Sequence, residues 1–279
     1  MEGAGPRPDE RTEIDKLYLK HLLVRTPLER PAKAIQQRLS LRAFAKNPEL
    51  LPLGFEDAML DAAVTRLVGP ESHCVDIGCH LGSMLSLFCR LAPRGRKYAF
   101  EPSPKSAARL RRKFPDVDLR ELALSDAPGR MSFHVSRDSP GHSSLGQTSE
   151  QGRTTEVEVE VSTLDRELLD EEKIDFVKLD VEGAELNVLR GGAAFLGRHR
   201  PRIQFECTRN ICKPFGYDPL DLFHHFTDEL GYEVFDLPGA LTRELPELSP
   251  PVFDHMQTYP FGAFNYVALP AEVAAELRG

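Results

Sequence analysis

The feature that most constrains the fold of this 279-residue chain is an alternation of short apolar runs and helical stretches that begins at His73. Each apolar run has the length of a buried strand, and a segment with helical spacing follows it. This alternation predicts an α/β fold with a mostly parallel sheet and helices on both faces. The predicted strand and helix pairs are 74–77 with 83–91, 97–100 with 104–114, 176–179 with 184–190, and 203–205 with 219–230.

The alternation is interrupted twice. Between residues 122 and 164 we predict two extra strands, 131–135 and 156–161. Val and Glu alternate strictly in the second of these, which is typical of a strand with one apolar face and one solvated acidic face. Farther along the chain, strands are predicted at 232–235 and 264–269, and the proline-rich residues 236–261 between them are predicted to form a long irregular loop.

The N-terminal part of the chain has a different pattern from the rest. Residues 10–68 have helical spacing that stops at Gly69-Pro70. We therefore predict two parts. Residues 1–68 form a helical extension that acts as a lid or as an interface for a homodimer, and residues 69–279 form the main domain.

The composition argues against several classes of protein. The 35 basic and 43 acidic residues give a net charge of −8, which disfavours a protein that coats nucleic acid or an anionic membrane. The chain has no apolar run near the ~20 residues that cross a bilayer, and no signal segment is recognisable, so we predict a cytoplasmic protein. The five cysteines include no Cys-x-x-Cys pair, and no metal site is predicted from them.

Residues 75–83 contain a glycine loop between a buried strand and a helix, a place where doubly wound sheets bind ligands. The spacing is Gly-x-x-x-Gly, and the carboxylate of Asp76 before the loop would repel the pyrophosphate of a dinucleotide. That carboxylate suits a ligand with an ammonium or sulfonium group. S-adenosylmethionine carries both groups and no phosphate. The candidate cofactor-binding residues in this segment are Asp76, Gly78, His80, Gly82 and Ser83.

The next two strand ends suggest a nucleoside. Glu101 ends the second predicted strand, where a carboxylate can accept hydrogen bonds from both hydroxyls of a ribose. The third strand is predicted to end near 122–126, beside the ribose. There Ala123 and Leu124 would contact the adenine, and Ser125 or Asp126 would hydrogen-bond to its edge. An ordinary surface turn is the alternative interpretation of these four residues.

The end of the fourth parallel strand is rich in carboxylates, with Asp180, Glu182 and Glu185 close together. Asp180 is predicted to face the methionine end of the cofactor. Because a protonated alcohol is a poor nucleophile, methyl transfer to a hydroxyl needs a base or a metal. We hypothesise that Glu182, with Glu206 from the next strand, binds and deprotonates the acceptor hydroxyl. His142 is another candidate base, and Mg²⁺ held by carboxylates is a less favoured alternative.

Together these segments resemble the FkbM-type S-adenosylmethionine-dependent methyltransferases. The resemblance covers residues 72–270 and rests on residues 75–82, 100–102, 123–126 and 174–185, of which 178–185 is the most specific part. It implies a Rossmann-like class I methyltransferase fold with an antiparallel last strand. It also implies O-methylation of a sugar, glycolipid or secondary metabolite, with S-adenosylhomocysteine as the product. Position 79 is Cys, where alanine is commoner in such motifs.

Two other functions are compatible with the same pattern. An NAD(P)-dependent oxidoreductase could use a similar sheet, although Asp76 disfavours a dinucleotide. A noncatalytic nucleoside-binding protein could keep the glycine loop and Glu101 without any reaction. Titration with S-adenosylmethionine, S-adenosylhomocysteine and NAD separates the methyltransferase from the oxidoreductase.

Overall fold

The structure is a computed structural model, and it describes residues 22–44, 48–136 and 154–279. A seven-stranded sheet forms its centre, in the order β3-β2-β1-β7-β8-β10-β9. Its strands are β1 (Cys74–Ile77), β2 (Lys97–Phe100), β3 (Asp118–Arg120), β7 (Phe176–Leu179), β8 (Arg202–Glu206), β9 (Tyr232–Asp236) and β10 (Asn265–Pro270). A three-stranded sheet holds β4 (Ala123–Leu124), β5 (Gly129–Ser136) and β6 (Thr154–Ser162).

The helices lie between these strands in the order that the alternation predicts. They are α1 (Glu29–Phe44), α2 (Glu56–Leu67), α3 (Ser83–Leu91), α4 (Pro104–Lys113), α5 (Leu164–Leu168), α6 (Glu185–Arg190), α7 (Ala193–His199), α8 (Arg209–Cys212), α9 (Pro219–His224), α10 (Leu237–Leu241), α11 (Pro250–Met256) and α12 (Ala271–Arg278). Two 3-10 helices cover Pro48–Phe55 and Lys213–Phe215, and a π-helix, His225–Glu229, extends α9.

Alternate residues of each central strand pack on opposite faces of the sheet, as the two-residue period of a strand requires. Val75 and Ile77 of β1 belong to an apolar cluster that includes residues of α6, α7 and α9. Cys74, in the same strand, belongs to a second cluster with residues of α2, α3 and α4. Helices therefore cover both faces, and the predicted α/β fold class is confirmed.

The pairing of the strands also agrees with the prediction. Strands β3, β2, β1, β7 and β8 are parallel to one another. Strand β10 is inserted between β8 and β9 and runs antiparallel to both. This is the mostly parallel sheet with an antiparallel last strand that was expected. The predicted acidic strand is also confirmed, because Glu156, Glu158 and Glu160 of β6 are exposed.

The prediction for the third strand was wrong. The third parallel strand of the main sheet is β3, which ends at Arg120, before the predicted segment 122–126. Ala123 and Leu124 instead pair with Val161 and Ser162 in the small sheet. Their backbone partner is β6, which forms a hairpin with β5. The sequence did not reveal that these strands form a separate sheet.

The predicted irregular loop at 236–261 was also wrong, because this segment contains α10 and α11. The Asp236 side chain accepts a hydrogen bond from the Gly239 backbone N–H at 2.7 Å and caps α10. Pro238 and Pro250 lie in the first turns of these helices, where a missing N–H does no harm. Pro238 and Pro250 are therefore compatible with the helices that start at these positions.

The N-terminal extension is described from residue 22 onward, and α2 agrees with the helix expected before Gly69. The division of the chain at residues 68 and 69 stays a prediction. Within residues 22–44, 48–136 and 154–279, no helix combines the length and apolar character needed to cross a bilayer. The predicted base His142 lies outside the described residues.

Candidate active site

Polar side chains form a row across the central sheet at its carboxyl edge. Asp76 of β1 and Lys178 of β7 are directly paired neighbours on the face that carries Cys74 and Phe176. Asp180 and Glu206 each lie one residue beyond Leu179 and Phe205, which pair across β7 and β8. Strand order and side-chain period thus place these four residues together, as expected for the ligand end of a parallel sheet.

Lys178 is the centre of this row, and the sequence analysis gave it no role. Its Nζ donates to the Gly78 carbonyl at 2.6 Å, and it lies 3.1 Å from Asp180 Oδ2 and 3.5 Å from Asp76 Oδ1. Burial alone would lower the pKa of Lys178, but the carboxylates of Asp180 and Asp76 raise it above its ordinary value. The side chain is therefore a fixed internal cation. A lone lysine within the apolar strand Phe176–Leu179 was the signal that could have identified it.

Asp76, which was predicted to contact the cofactor, lies against a cation of the protein itself. Its side chain is completely buried and faces Lys178. Burial raises the pKa of Asp76, although Lys178 acts in the opposite direction. The protein itself supplies the ammonium group that Asp76 was expected to accept from a ligand. Contact between Asp76 and a cofactor stays a prediction.

The glycine loop turns by using left-handed backbone conformations. Gly78 has a φ of +80°, and a Cβ on it would lie 1.8 Å from the Asp180 carbonyl oxygen, so the loop and the end of β7 touch. His80 has a φ of +47°, and its backbone N–H donates to Glu101 Oε2 at 2.9 Å. Gly82 precedes Ser83, the first residue of α3. The loop is thereby fixed to the ends of two neighbouring strands.

Glu101 follows β2 and is held from both sides. Its Oε2 accepts from His80 N and its Oε1 from Ser103 N at 3.0 Å. Burial raises the pKa of Glu101 to about 7, although these two hydrogen bonds oppose the rise. A carboxylate offers about four acceptor positions, so two remain for further donors such as the hydroxyls of a ribose.

Asp180 and Glu206 form a hydrogen-bonded pair of carboxyl groups. Burial and the carboxylates of Asp180 and Glu182 raise the pKa of Glu206 well above its ordinary value. Burial would also raise the pKa of Asp180, but Lys178 and the hydrogen bond from Glu206 lower it overall. Glu206 therefore holds the proton and donates it to Asp180. The three acids that the sequence singled out for the chemistry lie close enough to interact.

Glu182 projects from a tight loop that Glu185 holds in shape. Glu182 has a φ of +55°, an uncommon backbone conformation for a residue with a side chain. Glu185 Oε1 accepts from the backbone N–H groups of Val181 at 3.0 Å and Gly183 at 3.2 Å, and its Oε2 accepts from the Tyr217 hydroxyl at 3.2 Å. The buried side chain of Glu185 thus stabilises the conformation of this loop.

The predicted adenine contacts lie at the edge of the small sheet. The side chains of Ala123 and Leu124 are buried in apolar clusters. Ser125 is buried and donates from its hydroxyl to Asp126 Oδ1 at 3.2 Å. A role for these four residues in binding adenine stays a prediction.

A cavity of about 280 Å³ lies above the glycine loop. Its walls come from the N-terminal segment, α2, the loop and the end of β7, so it includes several residues that the sequence analysis selected. The lining residues are Leu23, Val24, Glu29, Ala32, Lys33, Asp57, Leu60, Asp61, Gly78, Cys79, His80, Leu81, Ser83, Met84, Lys178 and Asp180. Over the ranges that the structure describes, no group of three or more His, Cys, Asp or Glu residues is arranged to hold a metal ion.

The chain is similar to several known proteins. It is 33% identical over 158 residues to the 2-O-methyltransferase NoeI of Sinorhizobium fredii, a match that covers 49% of this chain and 64% of that protein. The chain thus spans less than two thirds of that relative's length.

Two solved structures are among the structural matches. An rRNA methylase from Streptococcus thermophilus has a TM-score of 0.43 at 12% identity, over 77% of this chain and 96% of that one. Aeropyrum pernix fibrillarin, solved with natively bound S-adenosyl-L-methionine, has a TM-score of 0.40 at 14% identity, over 73% of this chain and 68% of that one.

A sequence model described as "Methyltransferase FkbM domain" matches residues 76–234. The match begins at the aspartate of the glycine loop and includes the strands that carry Glu101, Lys178, Asp180 and Glu206. It therefore spans the whole row of polar residues described above and more than half of the chain, and on this ground the chain belongs to the FkbM methyltransferase family.

Proposed function

We propose that the protein is an S-adenosylmethionine-dependent O-methyltransferase that acts on a hydroxyl group of a sugar, a glycolipid or a secondary metabolite. The observation that carries this proposal is the meeting of Asp180, Glu182 and Glu206 beside the glycine loop. Carboxyl groups at such a place can bind and deprotonate a hydroxyl. The 2-O-methyltransferase relative supports the same type of reaction.

The residues present suit this cofactor. Glu101 keeps acceptor positions for ribose hydroxyls, and the described cavity wall carries both acidic and basic side chains. S-adenosylmethionine, when bound, supplies the methyl group and the leaving group, and S-adenosylhomocysteine is the product. The protein then has to align the acceptor hydroxyl with the methyl carbon and take up its proton.

The two acids of the proposed base differ in their protonation. Glu206 shares its proton with Asp180, so its neutral carboxyl group orients the acceptor by hydrogen bonding. Glu182, on the loop that Glu185 holds, accepts the proton of the hydroxyl. Lys178 keeps Asp180 ionised and thereby keeps the shared proton on Glu206. His142 remains the alternative base.

The test is methyl transfer by the Glu182→Gln variant with a panel of sugar and polyketide hydroxyl acceptors. Loss of a general base is expected to lower kcat by about 10²-fold or more, while S-adenosylhomocysteine still binds. The matched control is Glu160→Gln, which changes an exposed glutamate on β6. A Glu182→Gln rate within about threefold of the wild-type rate would overturn the base assignment.

The same assay distinguishes the alternatives that the sequence left open. Binding of NAD and failure to bind S-adenosylhomocysteine would favour the oxidoreductase. Cofactor binding without transfer to any acceptor would favour a noncatalytic protein. Loss of activity after treatment with EDTA, and its return with Mg²⁺, would favour the metal alternative.

A further inference from the structure

The cavity above the glycine loop has an ion pair on its wall that the proposed reaction does not use. Lys33 of α1 and Asp61 of α2 both line the cavity, and Lys33 Nζ lies 2.9 Å from Asp61 Oδ2 and 3.2 Å from Asp61 Oδ1. Their side chains are 40% and 37% exposed. An ion pair this exposed contributes little to stability, so its two charges can exchange partners at small cost.

The proposed orientation of the cofactor determines which of its parts can enter this cavity. Its ribose is proposed to bind at Glu101, and its methyl group must point to the acids beyond β7 and β8. The sulfur carries three substituents, so the amino-acid chain has to leave in a third direction. The cavity borders the glycine loop and Asp180 on one side and α1 and α2 on the other, so it is the space to which we assign the amino-acid chain.

The charged groups at the sheet end of the cavity already have partners within the protein. Lys178 Nζ donates to the carbonyls of Gly78 and Ile77 and forms ion pairs with Asp180 and Asp76. Asp76 is buried behind Lys178 and does not line the cavity. An α-amino acid group brings one carboxylate and one ammonium group, which match a lysine and an aspartate held side by side.

We propose that Lys33 and Asp61 bind the amino-acid end of the cofactor, Lys33 through the α-carboxylate and Asp61 through the α-ammonium group. The ion pair opens on binding, and each partner exchanges a contact within the protein for one with the ligand. The N-terminal helices are then part of the cofactor site. This assignment rests on the proposed function, because it assumes a nucleoside cofactor with an amino-acid end.

The experiment is calorimetric titration of the full chain with three ligands. S-adenosylhomocysteine carries both charged groups, decarboxylated S-adenosylhomocysteine lacks the carboxylate, and 5′-methylthioadenosine lacks the whole amino-acid end. The variants are Lys33→Met and Asp61→Asn. Arg38→Met is the matched control, because Arg38 is an exposed cation of the same helix outside the cavity.

Lys33→Met is expected to weaken S-adenosylhomocysteine binding by about 10- to 100-fold, the range for a hydrogen bond between charged groups, and to leave the other two ligands within about twofold. Asp61→Asn is expected to weaken the two ligands that carry the ammonium group and to spare 5′-methylthioadenosine. Arg38→Met changes nothing. Equal unfolding midpoints of the variants show that the changes are local.

Failure of the Lys33 assignment and failure of the proposed function give different titration results. If Lys33→Met binds S-adenosylhomocysteine as the wild type does, or weakens all three ligands equally, the assignment of Lys33 is overturned while the proposed cofactor stands. If the wild-type protein binds none of the three ligands, the proposed function itself is overturned.

Discussion

At the residue scale, the site is arranged around one buried lysine. Lys178 touches a carbonyl oxygen of the glycine loop and the carboxylates of β1 and β7, so it joins the two strands that flank the crevice. Lys178 lowers the pKa of Asp180, whereas burial and neighbouring carboxylates raise the pKa of Glu206, the hydrogen-bonded neighbour of Asp180. One cation thus acts on the pKa of both carboxylates that it contacts.

Replacing this lysine should destabilise the protein more than most single changes do. Lys178→Met would leave the buried Asp76 without its partner, and removal of one member of a buried ion pair typically costs about 3–5 kcal/mol. The measurement is the free energy of unfolding from urea titration. Adding Asp76→Asn to Lys178→Met should recover part of the loss, because the unpaired carboxylate is then gone.

Lys97→Met is the matched control for Lys178→Met. Lys97 is also a strand lysine, but its Nζ donates only to the Gly95 carbonyl at 2.8 Å among the hydrogen bonds that the described residues make. Its replacement should cost less than about 1 kcal/mol. Equal losses for the two lysines would show that Lys178 is not a structural counter-ion.

At the element scale, the repeated strands and helices could be predicted from the sequence, and the irregular parts could not. Strands 74–77, 97–100 and 176–179 begin and end where the apolar runs do, because a buried parallel strand must be apolar on both faces. Two strands of the small sheet, β5 and β6, were predicted, but β4 was not, since it has two residues and a pairing that no local pattern encodes. Helices α10 and α11 were not predicted, because in the sequence prolines in the first turn of a helix look the same as prolines in a loop.

Part of the candidate site could likewise be predicted from the sequence, and part of it could not. Glu101, Asp180, Glu182 and Glu206 could be found, because residues at the carboxyl ends of parallel strands meet at one edge. The burial of Asp76 could not be predicted, because it depends on Lys178, which contacts Asp76 from another strand. Lys33 and Asp61 lie on helices whose position over the loop depends on tertiary packing.

The loop after β7 should tolerate no side chain at Gly183. This residue has a φ of +106°, and a Cβ would lie 1.9 Å from the Ile211 carbonyl oxygen. Gly183→Ala is expected to cost at least about 2 kcal/mol of unfolding free energy and to displace Glu182. Urea titration measures the first effect, and methyl transfer with retained cofactor binding measures the second.

Gly216 provides the comparison. It has a φ of +78°, but a Cβ there meets no heavy atom of the described residues within 4 Å. Gly216→Ala should therefore cost only the backbone strain, about 1 kcal/mol, and leave activity unchanged. A similar loss of stability at both glycines would mean that close approach to Ile211 is not what constrains the loop.

At the scale of the whole molecule, buried carboxylates attach the N-terminal helices to the sheet. Glu29 accepts from Ser86 Oγ at 2.6 Å and from Arg90 at 3.3 Å, which joins α1 to α3. Glu56 accepts from the backbone N–H groups of Phe264 and Asn265, both at 2.7 Å, which joins α2 to β10. The predicted boundary at residue 68 therefore separates segments that share buried hydrogen bonds.

Removing the second attachment should loosen both elements that it joins. Glu56→Ala leaves two backbone donors without an acceptor, and we expect a loss of about 1–3 kcal/mol. Hydrogen exchange should become faster in α2 and at residues 264–265, which locates the change. Glu71→Ala, which removes an exposed ion pair with Arg94, is the control and should cost less than about 1 kcal/mol. Unchanged exchange in α2 would count against the attachment.

The surplus of carboxylates over ammonium groups around Lys178 has a consequence for turnover. The cofactor enters as a sulfonium cation and leaves as a neutral thioether, and the acids beyond β7 and β8 lie where the sulfur is proposed to sit. The ionised carboxylate of Asp180 attracts the charged form more strongly than the spent one. The arrangement would ease release of the product and limit its inhibition, which the ratio of the two dissociation constants measures.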